Sequence, residues 1–374
     1  MNVRAVVLTL VVVLAAGPAL VGTAVAQQSG DLAHPSHGEG SVDQDSACEF
    51  PVEVTDATGQ QVTIEEEPQE VVVTAPNVAQ HMWEIGAQEK VISMPASNTG
   101  YLNGSEAAAD EDLLVEGNNG FDVVNTEHVV DLNPDLVLAP NTTSAGAIQE
   151  LRNAGLTVYH YPIAGSFRDI MTLVNRTGRL VGACEAAAER TATMAERIDA
   201  VSRATADVEE PRVFYDLGQG DTLYSANAAT FEHELLDLAG AENIAADVES
   251  EFGTGYPQIS EETVLEANPE IVVSPGPLSD FAQQRLVDEL GAEVIQLDAN
   301  LISQHAPRTV DVLVSLAEQL HPEAMETVEF QADEEVVEDQ QNSTDNSDGS
   351  GPGFAVGGAV AALLAVALVA ARRQ

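Results

Sequence analysis

Residues 126–140 read TEHVVDLNPDLVLAP, and residues 261–275 read EETVLEANPEIVVSP. At a constant offset of 135 residues, Glu127 aligns with Glu262, Val129 with Val264, Asn133 with Asn268, Pro134 with Pro269, Val137 with Val272 and Pro140 with Pro275. Asp131/Glu266 and Asp135/Glu270 are conservative pairs in the same frame. Both copies carry the same local instructions. A short amphipathic helix begins near a Thr or Ser cap and stops ahead of Asn-Pro, because proline biases the residue before it away from helical dihedrals. A short apolar run of buried-strand type follows, and a second proline closes it. A chain that builds one supersecondary unit twice is expected to form two similar lobes.

Further apolar runs predict parallel strands at Val71–Thr74, Val91–Met94, Leu136–Ala139, Thr157–His160, Arg212–Tyr215, Ile271–Ser274 and Val294–Leu297, with helical stretches between them. That alternation is the mark of an α/β fold, read here as two Rossmann-like lobes with parallel sheets. Between the repeats, residues 166–205 have helix-forming composition, a Ser166 cap and no proline. They predict a long, rigid connector helix, with two separate helices as the alternative. Gly178 and Gly182 are the points at which the helix would bend, at about 1 kcal/mol each relative to alanine. The expected division is an N-lobe at 48–165, the connector at 166–205 and a C-lobe at 206–330.

Both ends read as targeting segments. Residues 1–26 have a basic start, an apolar run and Ala24-Val25-Ala26, the pattern of a secretory signal peptide. Residues 27–47 form a polar leader. Residues 331–351 form an acidic, Ser/Asn/Gly-rich stalk. Residues 352–374 hold an apolar run ending in Arg372-Arg373, near the lower length limit for a membrane span. Pro352-Gly353-Phe354 ahead of that run resembles the sorting signal of haloarchaeal surface proteins, in which a lipid replaces the tail. The expected location is the outer face of the cytoplasmic membrane, with a C-terminal anchor. Sequons at Asn103, Asn141, Asn175 and Asn342 are candidate N-glycosylation sites in an exported chain. Cys48 and Cys184 are the two cysteines, and export favours their pairing. Two free buried thiols are the alternative.

Charge narrows the function. With 61 acidic against 14 basic side chains, the formal net charge is −47, and Lys90 is the sole lysine. Self-repulsion on that scale opposes compaction in dilute buffer, whereas molar salt shrinks the Debye length to about 3 Å. The composition therefore reads as halophilic. Nucleic acid is excluded as a partner, since no basic patch exists to neutralise phosphates. Walker, nucleophile-elbow and HExxH motifs are absent, no Cys/His spacing marks a metal site, and no cofactor is implied. An exported α/β enzyme, with a site assembled from distant residues, is the remoter alternative.

Residues 70–86 (EVVVTAPNVAQHMWEIG), the helix-Asn-Pro-acid-strand units, FEHELLDLAGAENIAAD at 231–247, YPQISEETVLEANPEIVV at 256–273 and APRTVDVLVSLAEQLHPE at 306–323 resemble the helical-backbone class of ABC-importer binding proteins. That class serves cobalamin, iron-siderophores and haem. The aromatic residue followed by Pro-Gln-Ile-Ser-x-Glu is most similar to the vitamin B12 binders. The resemblance implies a binding protein that captures cobalamin between its lobes and hands it to a permease dimer with cytoplasmic ATPase subunits. Iron-siderophore or haem is the alternative cargo. It also implies that Glu127 and Glu262 dock on permease arginines through charge-assisted bonds. By motif position it places Pro76, Tyr101, Phe121, Tyr215, Tyr224, Tyr256 and Asn300 around the ligand, where aromatic faces stack on a flat ring system. Helix-favouring acids at N-termini and ordinary core aromatics are the plainer readings of these same residues. For haem, His305 is the loop candidate for an axial ligand.

Overall fold

The computed structural model describes residues 48–96, 102–117, 122–218, 222–250 and 255–330. The signal-peptide, leader, stalk and anchor segments, together with Tyr101, Phe121 and Asn342, lie outside these residues. Contacts divide the chain into Met1–Glu49 and Phe50–Gln374. Both cysteines are disulfide-bonded, so the expected Cys48–Cys184 pairing is present.

The strands are β1 (Val52–Thr55), β2 (Gln61–Ile64), β3 (Val71–Val73), β4 (Val91–Pro95), β5 (Ala109–Asp110), β6 (Leu114–Glu116), β7 (Asp122–Val124), β8 (Leu136–Ala139) and β9 (Val158–His160) in the first half. The second half holds β10 (Arg212–Tyr215), β11 (Glu242–Asn243), β12 (Ile271–Ser274) and β13 (Glu293–Gln296). Two hairpins, β1–β2 and β6–β7, are antiparallel. All other pairings between these strands are parallel. One sheet runs β5-β4-β3-β8-β9 and the other β11-β10-β12-β13. Numbered within each lobe, β4-β3-β8-β9 and β11-β10-β12-β13 have the same order, 2-1-3-4. The sequence repeat is thus a repeat of topology, with β8 and β12 in the same place.

The repeated unit is duplicated down to its backbone. The helix Thr126–Leu132 ends at Asn133, and the matching helix, Glu261–Ala267, ends at Asn268; both asparagines are left-handed with φ 49°. Asparagine tolerates that region better than other non-glycine residues, which is why Asn, and not proline alone, stops each helix. The first helix is capped by Asn125 rather than Thr126, and the second by Ser260.

Alternation along the strands sends residues to two faces. Val71, Val73, Leu136, Leu138, Val213, Tyr215, Ile271 and Val273 join one continuous core that runs through both lobes. Val72 and Val137 face a separate N-lobe cluster, and Phe214 and Val272 a separate C-lobe cluster. Because the lobes share a packed interior, wide opening would cost apolar burial.

The 166–205 segment differs from the single connector expected. It forms two helices, Phe167–Val181 and Cys184–Thr205, which pack on each other. Gly182 ends the first in the left-handed region at φ 82°. A Cβ on Gly178 would overlap that of Ala187 and sit 2.8 Å from the Ala183 carbonyl oxygen, so glycine permits the close return. The long second helix still joins the lobes. Arg190 bonds Glu84 at 2.7 Å in the N-lobe, and Arg197 bonds Asp311 at 2.6 Å in the C-lobe helix Thr309–Leu320.

Candidate functional site between the lobes

In open parallel sheets, ligands sit outside the carboxyl ends of the strands, where the strand order reverses. Here that point is β3/β8. The loops after β3, β8 and β9 supply Ala75, Pro76 and Asn77, then Asn141 and Thr142, then Tyr161 to Ala164. The C-lobe loop after β13 closes the opposite side with Asn300, Ser303, Gln304 and His305. Together they enclose about 380 Å³, within the usual range of ligand cavities. Among the described residues, none that lines the cavity is an acid, an arginine or a lysine. The wall is amide, hydroxyl and imidazole, with Ile163, 71% exposed, offering apolar surface at the rim.

The C-lobe side of this wall is held firmly. Gln80 on helix Pro76–Glu84 donates from Nε2 to Gln304 Oε1 at 3.0 Å, and its own Oε1 accepts from the Arg308 backbone N–H at 2.8 Å. His305 Nδ1 pairs with the Ala164 carbonyl at 2.9 Å. Its ring lies 4.7 Å from Phe231, which in turn lies 4.8 Å from Phe167, so tilted ring contacts link the C-lobe to the helix Phe167–Val181.

His81 and Tyr161 lie deeper. Thr177 Oγ1 donates to the Leu173 carbonyl at 2.8 Å. Having spent its proton, it accepts from Tyr161 OH at 2.8 Å and from His81 Nδ1 at 3.1 Å. Burial drives the His81 pKa down to about 3, keeping the ring neutral. Its Nε2 is buried and has no bonding partner among the described residues. Burial likewise pushes the Tyr161 hydroxyl far above its ordinary range.

A second depression of about 430 Å³ begins one residue beyond Phe231 and is lined by Leu217, Tyr224, Glu232 and Tyr256. Tyr256 OH donates to both Glu232 carboxylate oxygens at 3.0 Å. Burial and the Glu232 charge raise the Tyr256 pKa. An isolated bridge from Tyr224 to Gln258 holds the two tyrosines' segments together.

Of the candidate ligand residues, Pro76 and Asn300 line the first cavity, and Tyr224 and Tyr256 the second. Tyr215 is buried at the end of β10 and lines neither. Glu127 and Glu262 are both exposed and each is the second residue of its helix. Sequence reasoning missed Asn77, Asn141, Thr142, Tyr161, Ile163, Ser303 and Gln304. Most follow a strand end, and that position was the available signal. Among the sequons, Asn141 lies in the cavity wall. Asn175 sits inside a helix with its amide bonded to Thr191 at 3.1 Å. Asn103 is exposed, and its carbonyl accepts from Trp83 Nε1 at 2.8 Å. No cluster of three or more His, Cys, Asp or Glu side chains fit for a metal ion occurs among the described residues.

Comparison with known proteins agrees with this architecture. The chain is 36% identical over 347 residues to a cobalamin-binding protein of Halobacterium salinarum, covering 88% of this chain and 91% of the relative. It is 28% identical over 290 residues to an ABC transporter substrate-binding lipoprotein of Bacillus subtilis, covering 73% and 87%. The crystal structure of the periplasmic vitamin B12 binding protein of Vibrio cholerae superposes with a TM-score of 0.54 at 20% identity, covering 68% of this chain and 96% of that one. A haem-binding protein superposes with a TM-score of 0.57 at 17% identity, covering 75% and 93%. These are families of solute carriers and not of enzymes. With its profile matching residues 71–293, the periplasmic binding protein family is the one to which this chain belongs.

Proposed function

We propose that this protein captures cobalamin outside the cell and delivers it to an ABC importer. The observation that carries the reading is the uncharged wall of the interlobe cavity. Cobalamin is a bulky solute fringed with amides, and Asn77, Asn141, Asn300 and Gln304 can exchange hydrogen bonds with such a fringe, while Ile163 covers apolar ring edge. Catecholate siderophores and haem propionates ask for arginine or lysine, and the described residues of the cavity wall offer neither. The haloarchaeal relative supports the same cargo. The cavity's two imidazoles favour haem as the second reading.

Delivery is assigned to Glu127 and Glu262, which the repeat places at equivalent points of the two lobes. A pseudo-symmetric pair of exposed carboxylates suits a symmetric permease dimer bearing arginines. The signal peptide, the C-terminal anchor and the glycans belong to the same proposal of a surface-held carrier.

Titration calorimetry in molar salt with cyanocobalamin tests the cavity. Ile163→Asp, which sets a charge on the uncharged rim, is expected to weaken binding by about tenfold or more, near 1.4 kcal/mol. Unchanged affinity would move the ligand away from this cavity.

A further inference from the structure

We propose that His305 is an axial ligand that coordinates the metal of the cargo through Nε2. The proposal deepens the cobalamin reading and rests on it.

The backbone at His305 is left-handed, with φ 45°. Outside glycine, the only other described residues in that region are the two repeat asparagines, which adopt it readily. For a histidine it is uncommon, and such outliers persist where the surroundings over-determine them. The surroundings here do so. Gln304 is tied to Gln80, the Arg308 backbone N–H is tied to the same side chain, and Ala306 N–H bonds the fully buried Thr309 hydroxyl at 3.2 Å. The histidine is held by a loop that would be relaxed with asparagine or glycine.

The ring is also oriented. A backbone carbonyl can only accept, so the Ala164 bond keeps the proton of the neutral ring on Nδ1. Nε2 is left with its lone pair. No group among the described residues bonds it, and the half-buried residue lines the cavity. Phe231 fixes the ring plane from one side. A backbone carbonyl on one nitrogen and an open second nitrogen is how proteins hold a ligating histidine.

One donor is sufficient for this cargo. The described residues hold no cluster able to bind a bare ion, but a corrin already fills the equatorial positions of its cobalt. The protein then needs to supply an axial donor only. In aquacobalamin the step is a ligand exchange: the Nε2 lone pair forms a bond to cobalt, the bound water leaves, and neither the oxidation state nor the proton count changes. In cyanocobalamin the tightly held cyanide blocks it.

The test uses the full chain in molar salt. The visible spectra of aquacobalamin and cyanocobalamin are recorded free and protein-bound. Wild type is expected to shift bound aquacobalamin to an imidazole-ligated spectrum and to leave bound cyanocobalamin unshifted. His305→Asn keeps the left-handed backbone accessible; it is expected to abolish the shift and to weaken aquacobalamin at least about tenfold more than cyanocobalamin. Bound aquacobalamin with an unshifted spectrum in wild type would overturn the proposal. So would a shift that survives His305→Asn, or one removed only by His81→Asn. Failure to bind cyanocobalamin at all would instead sink the cobalamin reading itself.

Discussion

Gln80 and Gln304, one from each lobe and both buried, join side chain to side chain at 3.0 Å, and Gln80 also holds the Arg308 backbone N–H. The amide thus uses both ends to pin the C-lobe loop that forms the far wall of the cavity.

Gln80→Leu therefore removes two buried bonds and leaves Gln304 Oε1 and the Arg308 N–H unsatisfied. A loss of about 2–3 kcal/mol is expected, since stranded buried groups cost their desolvation penalty. Denaturant unfolding at constant molar salt reads it. A loss within error would show that water replaces the amide freely and that the loop is not pinned this way.

Gly178→Ala sets two effects against each other. Alanine gains about 1 kcal/mol over glycine inside a helix, but its Cβ overlaps Ala187 and crowds the Ala183 carbonyl. Overpacking costs about 1–3 kcal/mol, so a net fall in melting temperature is expected. A rise would mean that the two helices separate at little cost.

Asp56 and Arg152 form a buried ion pair beside β1, with further bonds to Asp56 from the Thr58 backbone at 2.8 Å and hydroxyl at 2.6 Å. Burial pushes the Asp56 pKa up, yet the Thr58 and Arg152 bonds outweigh it and leave it below the ordinary 3.8. A depressed carboxyl stabilises the fold above its unfolded pKa, and that contribution is lost as pH falls through the folded value. Arg152→Met should cost about 3 kcal/mol at neutral pH by stranding the charge. It should also flatten the decline of stability below pH ~4. Parallel acid-unfolding curves for variant and wild type would contradict the pairing's role.

Much of the fold was legible because its signals are local. Leu136–Ala139, Arg212–Tyr215 and Ile271–Ser274 have the bounds expected from their apolar runs. The repeat foretold two similar lobes; their common strand order is a finding of the structure. The single connector was preferred over two helices because helix propensity accumulates over 166–205; Gly178 and Gly182 were legible as bend points, but the full break depends on Gly182 adopting positive φ and on Gly178 admitting Ala187, a tertiary contact. The hairpins and β11 escaped notice because they lack the continuous apolar runs of the sheet strands: β1 and β2 alternate buried with exposed residues, and β6, β7 and β11 span only two or three residues. The site was half legible. Stacking chemistry directed attention to aromatics, and Tyr224 and Tyr256 do line a depression, but the interlobe cavity is walled by amides and hydroxyls on loops without motifs.

The net charge of −47 makes salt a structural variable. Circular dichroism on lowering salt from molar to ~0.1 M, where the Debye length grows from about 3 to 10 Å, is expected to show loss of structure. Full retention of the native spectrum and melting temperature would contradict the halophilic reading.

The central claim is the cargo. Wild-type protein in molar salt, incubated separately with cyanocobalamin, haem and a ferric hydroxamate and then desalted into the same salt, is scanned in the visible range. The account predicts stoichiometric corrin absorbance retained with protein and little retention of the other two. Retention of haem or ferric hydroxamate without corrin would contradict it.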